Sequence, residues 1–177
     1  ETVKHGLILD CDFYEYVDDN VGRVFDFNKD VLQYIAKMNC KIKGKVVEED
    51  ERESGLRAIL NFGHTIGHAV ESISNFKLMH GECVSIGIAG AFKIANRLGM
   101  VDENTELKVS DTLVKIGLPV TAKGLDPEQV YRQMFLDKKI KGSKLTFILP
   151  KGIGNVVQYS LDDEEIIRQV LKELLSE

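Results

Sequence analysis

The chain has 177 residues, 44% of them hydrophobic and 29% charged, with a formal net charge of -5. This is an ordinary globular composition, enough for one sizeable domain or two small subdomains on a shared core. No basic run marks a nucleic-acid surface, and no apolar stretch reaches the roughly 20 residues that span a bilayer. Cys11, Cys40 and Cys83 are odd in number and lack C-x-x-C spacing, and no signal peptide opens the chain. Reduced thiols and a cytoplasmic location are therefore expected, with no nucleic-acid or membrane partner. The chain starts at Glu1 and runs straight into an amphipathic pattern, so it reads as a segment of a longer polypeptide.

In chain order, residues 1–9 read as a short helix in which Val3, Leu7 and Ile8 share a face. Asp10-Cys-Asp12 makes a turn and cap, followed by a second short helix over about 13–17. Asn28 is a good helix N-cap, and Val31, Leu32, Ile35, Met38 and Ile42 repeat at helical spacing to about Glu48. An acidic stretch then interrupts the pattern. From Leu56 to about Ser74 the chain reads as one helix, despite Gly63 and Gly67. Further helices are expected over 82–98, closed by Gly99, over 103–116, closed by Gly117 and Pro119, and from Asp126-Pro-Glu to about Leu136. Strand character appears only at 145–149 and 156–159, which predicts a small antiparallel hairpin around the turn 150–154. Asp162 is the expected cap of a last helix ending near Leu175. The fold class is all-α: a multi-helix, bundle-like domain with one minor hairpin.

The informative segment is Leu60-Asn-Phe-Gly-His-Thr-Ile-Gly-His-Ala-Val-Glu71. Arg57, Asn61, His64, His68 and Glu71 follow at intervals of four, three, four and three residues. On one helix of about 3.6 residues per turn, that spacing sets all five on one face. Polar faces are usually solvated Lys/Glu mixtures. This one instead holds side chains suited to fixed hydrogen bonds, metals or anions. Each interior glycine costs about 1 kcal/mol relative to alanine, so Gly63 and Gly67 imply close approach of a ligand or of another backbone.

His64 and His68 form an H-x-x-x-H pair able to chelate a metal from one helix face. Thr65 stands where H-E-x-x-H peptidases carry their general base, so peptidase chemistry is excluded. His80 lies in the expected loop 77–81. Three ligand sets remain open from spacing: His64/His68 with a carboxylate, His64/His80 with a carboxylate, or all three histidines. Any of them suits a catalytic Zn²⁺ with an open position. Nothing singles out the fourth histidine, His5. Cys83 has no second cysteine nearby with which to build a thiolate site.

Residues 50–57, the segment 60–71 and His80-Gly-Glu82 together resemble the 3-dehydroquinate synthase family. The opening Glu1-Thr-Val-Lys-His-Gly6 is similar to that family's glutamate-containing metal motif, and Asp137-Lys-Lys139 also matches. Sugar phosphate cyclases making inosose or valiolone products are the nearest relatives of that family. The run from Glu53 through Arg57 and Asn61 fits the dehydroquinate enzyme better.

The resemblance implies a helical metal-binding domain without the NAD-binding α/β domain, and no G-x-G-x-x-G loop follows a strand here. It implies Glu1, His64 and His80 as ligands of Zn²⁺ or Co²⁺, with His68 beside the metal on the substrate's phosphate. Arg57 and Asn61 join His68 in holding that phosphate. Lys4 and Lys43 are implied to hold the carboxylate and hydroxyls, Glu53 to stand near the chemistry, and one of Lys138 and Lys139 to turn inward. The full-length enzyme is expected to be an NAD⁺-dependent homodimer in the shikimate pathway. This segment alone is expected to be inactive.

Overall fold

The computed structural model describes residues 1–50, 55–136 and 145–176. Its architecture is helical, with a single two-stranded antiparallel sheet among the described residues. Glu53, Lys138 and Lys139 lie outside the described residues, so their expected roles have no structural counterpart here.

The N-terminal helices are α1 (Thr2–Leu9), α2 (Cys11–Asp19) and α3 (Val21–Phe25). Asp10 ends α1 and caps α2, its carboxylate accepting from the Phe13 N–H at 2.9 Å. The second helix is therefore longer than the 13–17 expected. The short α3 has no sequence signal, because five residues containing Gly22 carry too little periodicity. Next comes α4 (Lys29–Glu49), capped by Asn28 as expected, with Val31, Met38, Ile42 and Val46 inward.

The largest departure falls in the segment expected to be one helix over 56–74. A 3-10 helix (Leu56–Asn61) comes first, then a break at Phe62-Gly63, then α5 (His64–Ile73). Gly63 sits at φ +77, a left-handed conformation that strains any side chain. Arg57 and Asn61 are therefore not on the helix that carries His64, His68 and Glu71.

The glycines are explained by helix packing. A Cβ on Gly67 would lie 2.9 Å from the Cys83 carbonyl oxygen, and one on Gly87 would lie 1.8 Å from the Gly63 carbonyl oxygen. What approaches these glycines is another backbone, that of α6 (His80–Arg97). This helix starts two residues before the expected boundary, so His80 is its first residue rather than part of a loop. The Glu82 carboxylate accepts the Met79 N–H at 2.7 Å and fixes that start.

Helix α6 is the buried axis of the domain, with Val84, Ile86, Ile88, Phe92 and Ile94 all but inaccessible. Around it pack α5, α7 (Glu103–Lys115), β1 (Leu145–Gly152) and α9 (Glu164–Leu175). Helix α8 (Pro127–Leu136) closes over α5 and α9. β1 pairs with β2 (Asn155–Leu161), Leu145 opposite Leu161 and Ile148 opposite Gln158. The turn is tighter than expected, because β1 runs on through Pro150 to Gly152. It docks on α1 through the Gly154 N–H and the Leu7 carbonyl, at 2.9 Å. Asp163, not Asp162, caps α9 by accepting from the Glu165 and Ile166 N–H groups. No described helix is long and apolar enough to cross a membrane.

Candidate active site

Three imidazoles meet where α5 runs against the first turn of α6. Ring centroids are 5.1 Å apart for His64 and His68, 5.4 Å for His64 and His80, and 5.9 Å for His68 and His80. Two carboxylates flank them. Glu1, at the head of α1, brings an oxygen to 3.8 Å from His64 Nε2, and Glu71 brings one to 3.3 Å from His80 Nδ1.

Hydrogen bonding sets the direction of each ring. His64 Nδ1–H donates to the Phe62 carbonyl at 2.9 Å, which leaves Nε2 unprotonated and turned towards Glu1. The break at Gly63 supplies that carbonyl, so the interruption in the helix orients the ring. His80 Nδ1–H donates to the Glu71 carboxylate at 3.3 Å, which fixes the direction of that ring. Such partners on the far nitrogen are how metal-binding histidines are held. Burial holds the His64 imidazole below the usual histidine range, against the opposing pull of the Phe62 hydrogen bond. Burial thus favours the neutral ring, the form that binds a cation.

Lys4 is buried, and its Nζ donates to Glu1 Oε1 at 3.1 Å, Glu1 Oε2 at 2.8 Å and the Leu60 carbonyl at 2.7 Å. Three acceptors take its three N–H groups, so here the ammonium supports Glu1. Burial works to raise the Glu1 carboxyl, but the Lys4 hydrogen bonds and the surrounding positive charge leave it below the usual carboxylate range.

Ligand atoms of Glu1, His64 and His80 all lie within 4.8 Å of one another. A second triad, His68, Glu71 and His80, satisfies the same distance. Among the described residues neither triad joins His64 to His68, so the helical H-x-x-x-H pair divides between them. Cys83 belongs to neither. It is buried, and burial pushes its thiol up to about 11, which keeps it protonated.

Beside the histidines lies a cleft of about 360 Å³, lined by Asn61, His64, Thr65, His68, Met134, Thr146 and Gln158 among others. Asn61 and Ala58 also line an adjoining cavity with Arg57. The 3-10 helix thus brings Arg57 and Asn61 to the site although they left the expected helix. Asp50 fixes its start: the buried carboxylate accepts the Gly55 N–H at 2.8 Å and the Arg57 N–H at 2.9 Å. Lys43 is exposed on α4, which packs against the 3-10 helix.

Residues 1–140 match the family model described as 3-dehydroquinate synthase C-terminal. The chain belongs to that family. The 3-dehydroquinate synthase of Acetivibrio thermocellus is 59% identical over 175 residues, which are 98% of this chain and 49% of that protein. The 3-dehydroquinate synthase of Ruminiclostridium cellulolyticum is 54% identical over 174 residues, 98% and 48% respectively. The chain therefore spans about half the length of the curated 3-dehydroquinate synthases it matches.

Among solved structures, a 2-epi-5-epi-valiolone synthase from Streptomyces hygroscopicus subsp. jinggangensis with NAD⁺ and Zn²⁺ bound has a TM-score of 0.87. Its identity is 21%, over 98% of this chain and 49% of that one, a likeness of fold alone. A 2-deoxy-scyllo-inosose synthase complexed with carbaglucose-6-phosphate, NAD⁺ and Co²⁺ has a TM-score of 0.80 at 28% identity, over 98% and 50%.

The dehydroquinate synthase motifs carry the histidines, Arg57 and Asn61, but they do not announce every residue at the cleft. Thr146 and Gln158 reach it from the hairpin and Met134 from α8, a meeting of distant segments without a local signal. The hydrogen bond from His80 Nδ1 to the Glu71 carboxylate has no sequence signal either. Glu71 stood in the polar stripe, but its partner lies across a helix–helix contact.

Proposed function

We propose that this chain is the metal- and substrate-binding half of a 3-dehydroquinate synthase. Glu1, His64 and His80 would hold a divalent ion, Zn²⁺ or Co²⁺, and Arg57, Asn61 and His68 would form the wall that holds the substrate's phosphate. The observation that carries this reading is the convergence of the three ligand atoms within 4.8 Å, at the edge of the cleft that contains Asn61 and His68. The donor set suits such an ion: two imidazoles anchored at their far nitrogens and one carboxylate, with coordination positions left for substrate.

The substrate would be 3-deoxy-D-arabino-heptulosonate 7-phosphate. Oxidation of a ring hydroxyl, loss of phosphate, re-reduction, ring opening and aldol closure would give 3-dehydroquinate. When bound, the ion supplies Lewis-acid polarisation of substrate hydroxyls, and NAD⁺ supplies the hydride acceptor.

The chain's own contribution is positioning. The Arg57 guanidinium offers a planar fork to a phosphate, Asn61 adds an amide donor, and His68 adds a ring nitrogen. Fixing the leaving phosphate against the ring holds the reacting atoms in one geometry. Lys4 keeps Glu1 ionised and aimed at the histidines. Lys43, Glu53, Lys138 and Lys139 complete the expected substrate set. NAD⁺ is assigned to the half of the relatives that this chain does not span, in a cytoplasmic homodimer of the shikimate pathway.

The likeness of fold to the valiolone and inosose cyclases favours a second reading, a cyclase acting on another sugar phosphate. The 59% identity to a 3-dehydroquinate synthase outweighs it. The test is phosphate release in the presence of Zn²⁺ and NAD⁺. This chain alone should release none, and it should release phosphate once joined to the half that its relatives carry. Full turnover by the chain alone overturns the division of labour. Turnover only of sugar phosphates lacking the carboxylate supports the cyclases instead.

A further inference from the structure

Only one of the two ligand triads is used in the reading above. His68 and Glu71 are three residues apart on α5, so their side chains leave the helix on the same side. His80 meets them from the first turn of α6. One ligand atom from each lies within 4.8 Å of the other two. His80 belongs to both.

We propose that His68, Glu71 and His80 form a second divalent-metal site, weaker than the first and sharing His80 with it. This rests on the metal reading of Glu1, His64 and His80. Two imidazole nitrogens and one carboxylate oxygen select a borderline ion such as Zn²⁺ or Co²⁺ over Mg²⁺ or Ca²⁺, which prefer all-oxygen surroundings.

The structure also shows why this site is the weaker one. Glu71 already accepts a hydrogen bond from His80 Nδ1; with the first ion on Nε2, the second can take only Nδ1, whose proton must first leave to solvent. A second dication is also repelled by the first.

Filling this site has a direct consequence. It takes His68 from the phosphate-holding wall and Glu71 from its role of orienting His80. Surplus metal would then act against the function that the first ion supports. Sharing one histidine makes the two occupancies interfere without any change in fold.

The test is a titration of the metal-stripped chain with Co²⁺ and with Zn²⁺ alone. Binding is followed by calorimetry and by Co²⁺ visible absorption, and folding of each variant by circular dichroism. The wild type should show two classes of binding, the second at least about tenfold weaker than the first. His68→Ala should remove the weak class and leave the tight one within about threefold. Glu71→Gln, a near-isosteric change, should weaken the second class by about 10-fold to 100-fold, more than it weakens the first. Glu1→Gln should weaken the tight class while a His68-dependent class persists. A single class in the wild type overturns the second site. If that single class survives His68→Ala, the Glu1 triad stands. If His68→Ala abolishes it, the assignment under Proposed function falls as well.

Discussion

The 3-10 helix and the α5–α6 pair adjoin in sequence and face the same cleft, but they are built differently. In α5–α6 the backbones touch: Gly63, Gly67 and Gly87 leave no room for a Cβ, and the helices behind them are buried. The 3-10 helix is pinned at its start by Asp50 and ends at the Phe62 turn, with Asn61 exposed. The rigid pair carries the ring nitrogens that an ion needs at fixed distances. The more open segment carries the guanidinium and amide that an anion needs, where direction matters but tolerance is wider. Precision at this site follows packing density rather than position along the chain.

That contrast breaks most directly at Gly87. Gly87→Ala puts a methyl group into the Gly63 carbonyl and should cost about 3 kcal/mol or more of stability, read from urea denaturation. A loss under about 1 kcal/mol would mean that the helices separate easily and that the pair is not the rigid member. Next in size, His64→Ala or His80→Ala should weaken Zn²⁺ binding by on the order of 100-fold or more, whereas His68→Ala should spare the tight site. Calorimetry with a competing chelator separates these outcomes. On the open side, Arg57→Ala should weaken binding of inorganic phosphate by about tenfold and leave both melting temperature and Zn²⁺ affinity unchanged.

The smallest effect concerns His5, buried in α1 with Nδ1 at 2.8 Å from Asn39 Oδ1. Burial lowers its pKa, against the Asn39 hydrogen bond that raises it. The folded state therefore binds fewer protons than the unfolded state, in which histidine titrates near about 6.5. The stability this contributes is complete above that value and is lost as pH falls through the lower, folded pKa. In the metal-free chain, unfolding free energies from urea titrations at pH 8 and pH 5 should differ less in His5→Gln than in wild type, by under about 1 kcal/mol. Equal differences would show that His5 is protonated without cost.

Much of the fold was legible because its signals are local. Asn28 capping α4, the apolar repeat through Ile42, Pro127 opening α8 and the β-branched hairpin all appear where spacing and propensity put them. The break at Gly63 was not legible. The four-and-three spacing of polar residues continues across it, and an interior glycine looks the same whether it is tolerated in a helix or ends one. The site was legible in composition but not in pairing. Spacing leaves three ligand sets open, whereas the structure sets Glu1 near His64 and Glu71 near His80 across helix contacts. Lys4, expected on the substrate, instead donates to Glu1 and to the Leu60 carbonyl, and the contacts of Asp50 with the Gly55 and Arg57 N–H groups have no local signal. Only the family resemblance linked Glu1 to the histidines.

The central claim is that the ion sits between α1, α5 and α6, not on α5 alone. A crystal structure of the Zn²⁺-loaded chain, with anomalous scattering recorded at the zinc edge, tests it most directly. The principal peak should lie among a Glu1 carboxylate oxygen, His64 Nε2 and a His80 ring nitrogen, at about 2.0–2.2 Å from each. A principal peak held by His64 and His68 together, away from Glu1, would contradict it.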